Sequence, residues 1–147
     1  MSKLQDAIKR GNDQARNRSS TQDADPRAHA FQDGAHWVQQ VLIPAIREGN
    51  AELEPEQVAF QLDLNLDRRS TNHAHADFWL SEVKEGQRAV GPRYSINVLG
   101  GRNVWLYKHG APGRELGTIA RCGSAEIRAL LLDAAEEFGR AIGRGFR

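Results

Sequence analysis

The amino-acid sequence predicts a two-layer α+β domain, in which a five-stranded antiparallel meander sheet carries N-terminal helices and one C-terminal helix on a single face. Three observations lead to this prediction. Apolar and polar residues alternate with a period of two between residues 58 and 121. The connections between the alternating segments are short, which favours antiparallel neighbours. Apolar stripes with helical spacing precede and follow them.

The N-terminal segment, residues 1–26, is predicted to be an arm followed by a polar linker. Leu4 and Ile8 share a helical face, but Gly11 interrupts the run, so the apolar stripe is too thin to dock strongly. The linker contains no large apolar side chain. The sequence therefore places the single folded domain at residues 27–147.

A stronger helix is predicted from about residue 27 to residue 48. Pro44 is expected to kink this helix or end it near Ile43, because proline lacks the backbone donor and clashes with the preceding turn. Gly49 and Asn50 are natural helix stops. The apolar stripe that defines the helix is Phe31, Ala35, Val38, Leu42 and Ile46.

The clearest pattern in the chain is a predicted β-hairpin. Apolar residues alternate with polar ones at 58–67 and again at 73–80. Pairing Leu64 with Ala76, and Leu62 with Phe78, keeps the apolar side chains on one face. A slip by one residue would place Leu64 opposite His75, so the first register is favoured.

Three further strands are predicted, at residues 93–99, 103–109 and 115–121. Two registers of the hairpin that follows residue 99 keep a mostly apolar face. A two-residue turn sets Ile96 opposite Trp105, whereas a three-residue loop sets Val98 opposite Val104. The pattern does not choose between them.

The C-terminal helix is well marked in the sequence. Ser124 is a plausible N-cap, and Glu126 lies in the first turn, where its charge suits the helix dipole. Gly143 is expected to end the helix. The apolar stripe consists of Ile127, Leu130, Leu131, Ala134, Phe138, Ala141 and Ile142.

The polar face of the first hairpin is the main candidate for a functional site. The favoured register sets Asp63 opposite Asp77, Asn65 opposite His75, and Asp67 opposite His73. Directly opposed side chains lie within reach of each other. Three interpretations stay open: a solvated surface, a surface for a ligand or partner, and a metal or catalytic site that uses the two imidazoles and the carboxylates. The two opposed aspartates repel each other unless a cation or a water bridges them.

Aromatic residues argue against the interpretation of this face as a purely solvated surface. Trp79 lies on the same face as His75 and Asp77, and one register of the third and fourth strands adds Trp105 and Tyr107. Clustered exposed aromatic residues mark interfaces. The candidate ligand- or partner-binding residues are therefore Asp63, His73, His75, Asp77, Trp79, Trp105 and Tyr107.

Composition limits the classes of function. The formal net charge of +1 argues against a general polyanion binder, although a group of basic residues between 88 and 121 keeps single-stranded nucleic acid as an alternative. No apolar run approaches the ~20 residues of a membrane span. The single cysteine fits a reducing compartment, so a cytoplasmic location is expected.

The sequence therefore favours a non-enzymatic binding module that uses the free face of its sheet for a protein partner or a homodimer. The alternative is a small metal-binding protein or enzyme built on the His and Asp residues of the first hairpin. We assign no catalytic residue, metal ligand or cofactor, and nucleic acid is the less favoured partner.

Overall fold

A computed structural model describes residues 26–143 of the chain, with side chains from residue 28 onward. The predicted arm at residues 1–26 therefore lies, except for Pro26, outside the described residues. The elements are helix α1 (Pro26–Trp37), a π-helical turn (Val38–Leu42), α2 (Ile43–Leu53), a 3-10 turn (Glu54–Glu56), strands β1 (Val58–Asn65), β2 (Ala74–Glu82), β3 (Tyr94–Leu99), β4 (Asn103–Lys108) and β5 (Arg114–Thr118), and helix α3 (Ser124–Gly143).

The five strands form one antiparallel sheet in the order β1-β2-β3-β4-β5, which confirms the predicted meander. The register of the first hairpin is also the predicted one, with Leu64 opposite Ala76 and Leu62 opposite Phe78. This register is the one that keeps both apolar sets on the same face of the sheet. The three helices pack against that face.

The core lies between the helices and this face of the sheet. Phe78, Ile96 and Val98 from the central strands are fully or almost fully buried, as are Leu42 and Ile127 from the helices. The aromatic rings of β1, β2 and β3 also touch: the Phe78 ring stacks on the Tyr94 ring at 5.0 Å between centroids, and meets the Phe60 ring edge-on. The remaining sheet face carries no helix of the described chain.

Of the two outcomes predicted for Pro44, the helix end near Ile43 is wrong, whereas the kink stays a prediction. The helix does not end near Ile43, because a π-helical turn at Val38–Leu42 precedes the proline and α2 continues beyond it. In this turn the Ile43 N–H donates to the Val38 carbonyl, one residue further back than in an α-helix. Pro44 then falls at the start of α2, where a missing backbone donor costs little.

The expected stop at Gly49 and Asn50 was also wrong, since α2 runs on to Leu53. Tertiary contacts override the local signal. Gly49 packs close to the Phe60 ring, where an added Cβ would lie 3.4 Å from a ring carbon. The Asn50 side chain bonds the backbone of Phe60, so it is needed within the helix rather than after it.

The structure resolves the register that the sequence left open. Leu99 pairs with Asn103, so a three-residue loop joins β3 and β4, and Val98 lies opposite Val104. Gly101 in this loop has a φ of +69°, and its Cα approaches α1 so closely that an added Cβ would overlap the backbone of Ala30. Only glycine meets both requirements.

The end of the sheet is shorter than predicted. Strand β5 ends at Thr118, and the chain turns through residues 119–123 before α3 begins at Ser124. The Trp37 indole N–H donates to the Cys122 carbonyl at 2.7 Å, which fixes this turn to α1. Among the helices within residues 26–143, none is long and apolar enough to cross a membrane.

Candidate binding face

The sheet face turned away from the helices, here called the open face, is built by the alternating residues of the five strands. Because side chains alternate across a strand, the buried positions of each strand determine which residues face the other way. The open face includes Gln61, Asp63, Asn65, His75, Asp77, Trp79, Arg93, Ser95, Asn97, Trp105, Tyr107 and Glu115.

Arg93 bridges the two opposed aspartates on this face. Its Nε donates to Asp77 Oδ2 at 2.8 Å, and its Nη2 donates to Asp63 Oδ2 at 2.9 Å. The guanidinium also lies 4.4 Å from the centroid of the Trp79 ring. The Arg93 guanidinium is therefore the positive charge that offsets the repulsion between Asp63 and Asp77.

Asp77 is the centre of a larger hydrogen-bond network. Its Oδ1 accepts a bond from the Ser95 hydroxyl at 2.6 Å and lies 2.8 Å from His75 Nε2. The other ring nitrogen of His75, Nδ1, lies 2.6 Å from Asn97 Oδ1. Both carboxylate oxygens of Asp77 are thus engaged, and the side chains of three neighbouring strands are held in one arrangement.

The order of these groups does not suit nucleophilic catalysis. An activated serine needs an imidazole beside its hydroxyl, whereas the Asp77 carboxylate lies between Ser95 and His75. A metal site is equally unsupported in the described residues, because no group of three or more His, Cys, Asp or Glu side chains there could hold an ion. The hydrogen bonds hold these polar groups in fixed positions on the open face.

Trp105 and Tyr107 lie on the open face, opposite Asn97 and Ser95 respectively. Their rings stack with centroids 6.3 Å apart. Tyr107 is exposed, and its ring rests on Gly113 in the loop before β5. Together with Trp79 on β2, these residues put aromatic surface on both sides of the polar network.

The structure separates His73 from the other candidate residues. Strand β1 ends at Asn65, so the predicted pairing of Asp67 with His73 lies outside the ladder. His73 instead lines a cavity of about 1030 Å³ at the end of the sheet, beside Phe31 of α1 and Gly101. The remaining six candidates all lie on the open face.

The basic residues between 88 and 121 do not form one surface in the described structure. Arg93 lies on the open face, whereas Lys108 pairs with Glu137 of α3 on the helix-covered side. The hydrogen bond from Lys108 holds the pKa of Glu137 below its usual 4.5, against the opposing effect of burial, and a bond from Tyr94 adds to the lowering. Burial, together with this carboxylate, raises the pKa of Tyr94.

Cys122 is not poised for reaction. Its side chain is fully buried, and burial raises its pKa to about 11, with the nearby Glu126 carboxylate adding to the effect. A thiol with so high a pKa is almost entirely protonated near neutral pH, and the protonated form is a poor nucleophile.

Sequence reasoning missed Arg93, Ser95 and Asn97 as members of this face. The signal was present, because Tyr94, Ile96 and Val98 form the apolar set of β3 and leave these three residues on its other side. Their contacts could not be read from the pattern, since they depend on the register between β2 and β3, which sets Asp77 opposite Ser95.

Comparison of the chain with protein-family models, with curated proteins and with solved structures finds no match.

Proposed function

We propose that this chain is a cytoplasmic, non-enzymatic binding module that uses the open face of its sheet to hold a protein partner or a second copy of itself. The observation that carries the proposal is the combination of Trp79, Trp105 and Tyr107 with a prearranged polar network, on a face that no described helix covers. Tryptophan, tyrosine and arginine are the residues that most often dominate binding energy at protein interfaces.

The construction of the face supports binding rather than chemistry. The groups stand on β-strands, and the hydrogen bonds around Asp77 hold them before any partner arrives. A surface that is already ordered loses less conformational entropy when it binds. The single, buried cysteine agrees with a reducing compartment.

Charge on the open face favours protein over nucleic acid as the partner. Among the sheet residues that the structure describes, three carboxylates project from this side, those of Asp63, Asp77 and Glu115, against the one guanidinium of Arg93. Phosphate groups are attracted by an excess of positive charge, which this face lacks.

Site-specific photo-crosslinking tests the proposal. A photoreactive residue placed at Trp105 is expected to capture a defined protein, or a second copy, in the cells that express the chain. The matched control places the same residue at Leu132, an exposed apolar position on the outer side of α3. An adduct of equal yield at both positions, or at neither, would contradict the proposal.

The captured protein is then purified and titrated against the chain. Tyr107→Ala is expected to weaken binding by about tenfold or more, as loss of an interface aromatic residue does. Leu132→Ala should leave the affinity unchanged. Circular dichroism of both variants confirms that each retains the fold.

A further inference from the structure

We propose that two copies of this chain associate edge to edge through antiparallel β1 strands, which joins two five-stranded sheets into one. This inference concerns the edge of the sheet and is separate from the proposed use of the open face. It rests on three observations: one edge strand is left half open, the opposite edge is protected, and the open half is complementary to itself.

The first half of β1 is closed by a side chain of α2. Asn50 Oδ1 accepts a bond from the Phe60 N–H at 2.7 Å, and Asn50 Nδ2 donates to the Phe60 carbonyl at 3.2 Å. Both backbone groups of Phe60 therefore point away from β2. Asn50 imitates the hydrogen bonds of a neighbouring strand and blocks further pairing at this position.

The second half of β1 has no such cover among residues 26–143. Backbone groups alternate in direction along an antiparallel strand, so Leu62 and Leu64 also point theirs outward. No hydrogen bond from another described residue reaches these groups. Leu64 as a whole residue is 37% exposed, and the strand contains neither proline nor lysine, which protect edges elsewhere.

The opposite edge of the sheet is protected. Strand β5 has only five residues, and the register shifts at Val104 and Trp105 where β4 pairs with it. Gly117 has a φ of +130°, which departs from regular strand geometry, and Arg114 puts a charge on the strand. Short, irregular and charged edges resist pairing with another strand. Of the two edge strands, β1 is therefore the one that can pair with another strand.

The open half of β1 is complementary to a second copy about a two-fold axis at Leu64. This axis sets Leu64 opposite Leu64, Leu62 opposite Leu66, and Asp63 opposite Asn65 of the second copy. Leu64, whose backbone groups point outward, then meets the outward-pointing Leu64 of the second copy, as backbone pairing requires, while Leu66 lies just beyond the end of β1. The leucines of both copies lie on one side of the joint, and the polar pairs lie on the other.

The side chain of Asn65 is already oriented for this pairing. Its Oδ1 accepts bonds from the Asp67 N–H and from the Ser70 hydroxyl, both at 3.1 Å. Its amide nitrogen is thereby left as the donor. The Asp63 carboxylate of the second copy, whose side chain is 65% exposed, is the matching acceptor.

Two other registers are less suitable. An axis at Leu62 would set Phe60 opposite Leu64, but Asn50 already occupies the backbone groups of Phe60. An axis at Asp63 would oppose two carboxylates directly, which is unfavourable. The axis at Leu64 avoids both problems.

A cysteine at Leu64 tests the register. Directly opposed hydrogen-bonded residues have Cα atoms about 5.5 Å apart, within the ~4.4–6.8 Å that a disulfide spans. Leu64→Cys is therefore expected to form a covalent dimer on mild oxidation, whereas Leu132→Cys should not. Cys122 is buried in both proteins and does not compete. Failure of Leu64→Cys to cross-link more than Leu132→Cys would overturn the proposal.

Sedimentation equilibrium of the full chain tests the association itself. The contact involves few residues, so a dimer with a dissociation constant in the micromolar range is expected, at twice the 16.4 kDa mass of the chain. Leu64→Lys should weaken this dimer about tenfold or more, because it places two like charges at the axis. Leu132→Lys is the matched control. A monomer at about 500 µM would contradict the inference.

A charge exchange provides a test that does not depend on the leucine. Asn65→Asp keeps the bonds to the loop but sets two carboxylates opposite each other, so it should weaken the dimer. The double variant Asp63→Asn with Asn65→Asp restores an amide opposite a carboxylate and is expected to recover dimerisation. No recovery, while circular dichroism shows both variants folded, would exclude the proposed register.

The outcomes separate this inference from the proposed function. A dimer that survives Leu64→Lys but is lost in Trp105→Ala would overturn the edge contact and support self-association through the open face. A monomer that nevertheless binds a captured protein through Tyr107 would overturn the edge contact alone. Loss of the crosslinking signal at Trp105, with an intact edge dimer, would overturn only the proposed function.

Discussion

On the helix-covered face of the sheet, Phe78, Ile96 and Val98 are removed from water and held by packing. On the open face, His75, Asp77 and Arg93 are held by directed hydrogen bonds, and solvent reaches them in part. The two faces belong to the same strands, yet one supplies most of the stability and the other supplies fixed polar and aromatic groups. Neighbouring residues of one strand should therefore respond very differently to substitution.

The largest difference is expected between Ile96 and Ser95, which are adjacent in β3 and face opposite sides. Ile96→Ala should lower the free energy of unfolding by about 2–5 kcal/mol, because it leaves a cavity in a packed core. Ser95→Ala loses one hydrogen bond to Asp77 and should cost about 1–2 kcal/mol. Urea denaturation of both variants measures the contrast, and equal losses would contradict it.

The next largest effect is expected at Gly101, where the β3–β4 loop packs closely against α1. Gly101→Ala is expected to destabilise the fold by more than about 2 kcal/mol, since it combines a positive φ with overlap against Ala30. Gly100→Ala is the matched control. Its φ of +62° is similar, but nothing lies within 4 Å of the added Cβ, so only about 1–2 kcal/mol is expected. Thermal unfolding in parallel separates the overlap from the backbone strain.

On the open face, the ion pair between Arg93 and Asp63 should contribute little to stability. Both side chains are more than half exposed, and exposed pairs typically contribute about 0–1 kcal/mol. A double-mutant cycle with Arg93→Met and Asp63→Asn measures the coupling. We expect a small value that falls further at high salt. A coupling above about 2 kcal/mol would mean that this face stabilises the fold as the covered face does.

The smallest effect concerns the polar rim of the covered face. The Lys108 bond lowers the pKa of Glu137 in the folded protein, so the folded state favours the ionised carboxylate. This contribution to stability is present above the ordinary pKa of 4.5 and is lost as the pH falls through the lower folded value. Glu137→Gln should therefore reduce the loss of unfolding free energy that the protein shows as the pH falls below 4.5, measured by urea denaturation at several pH values. An equal loss in both proteins would contradict the stabilising role of the bond between Lys108 and Glu137.

The sequence pattern predicted the architecture better than the details of the site. The alternation in β1 and β2 was enough to place Leu64 opposite Ala76, because a slip would have put the leucines in water. The same argument located Asp63, His75, Asp77 and Trp79 on one face. It did not find Arg93, whose position between the two aspartates depends on the pairing of β3 with β2.

Helix boundaries failed for a related reason. Gly49 and Asn50 are stop signals in isolation, but contacts with Phe60 hold them in α2. Such contacts join residues about ten positions apart, and a local propensity contains no information about them. The π-helical turn that accommodates Pro44 has no signature in the apolar stripe either.

The periodicity of the sequence by itself determined the five strands and the order of helices and strands. It also determined that the first hairpin has an apolar and a polar side, because burying apolar side chains requires them to recur on one face of each element. The facing of Trp105 and Tyr107 was decided only by the tertiary structure. Two hairpin registers satisfied the apolar pattern equally, and the observed three-residue loop is the one in which Gly101 packs against Ala30. A contact between distant segments selects among arrangements that local patterning leaves equal in energy.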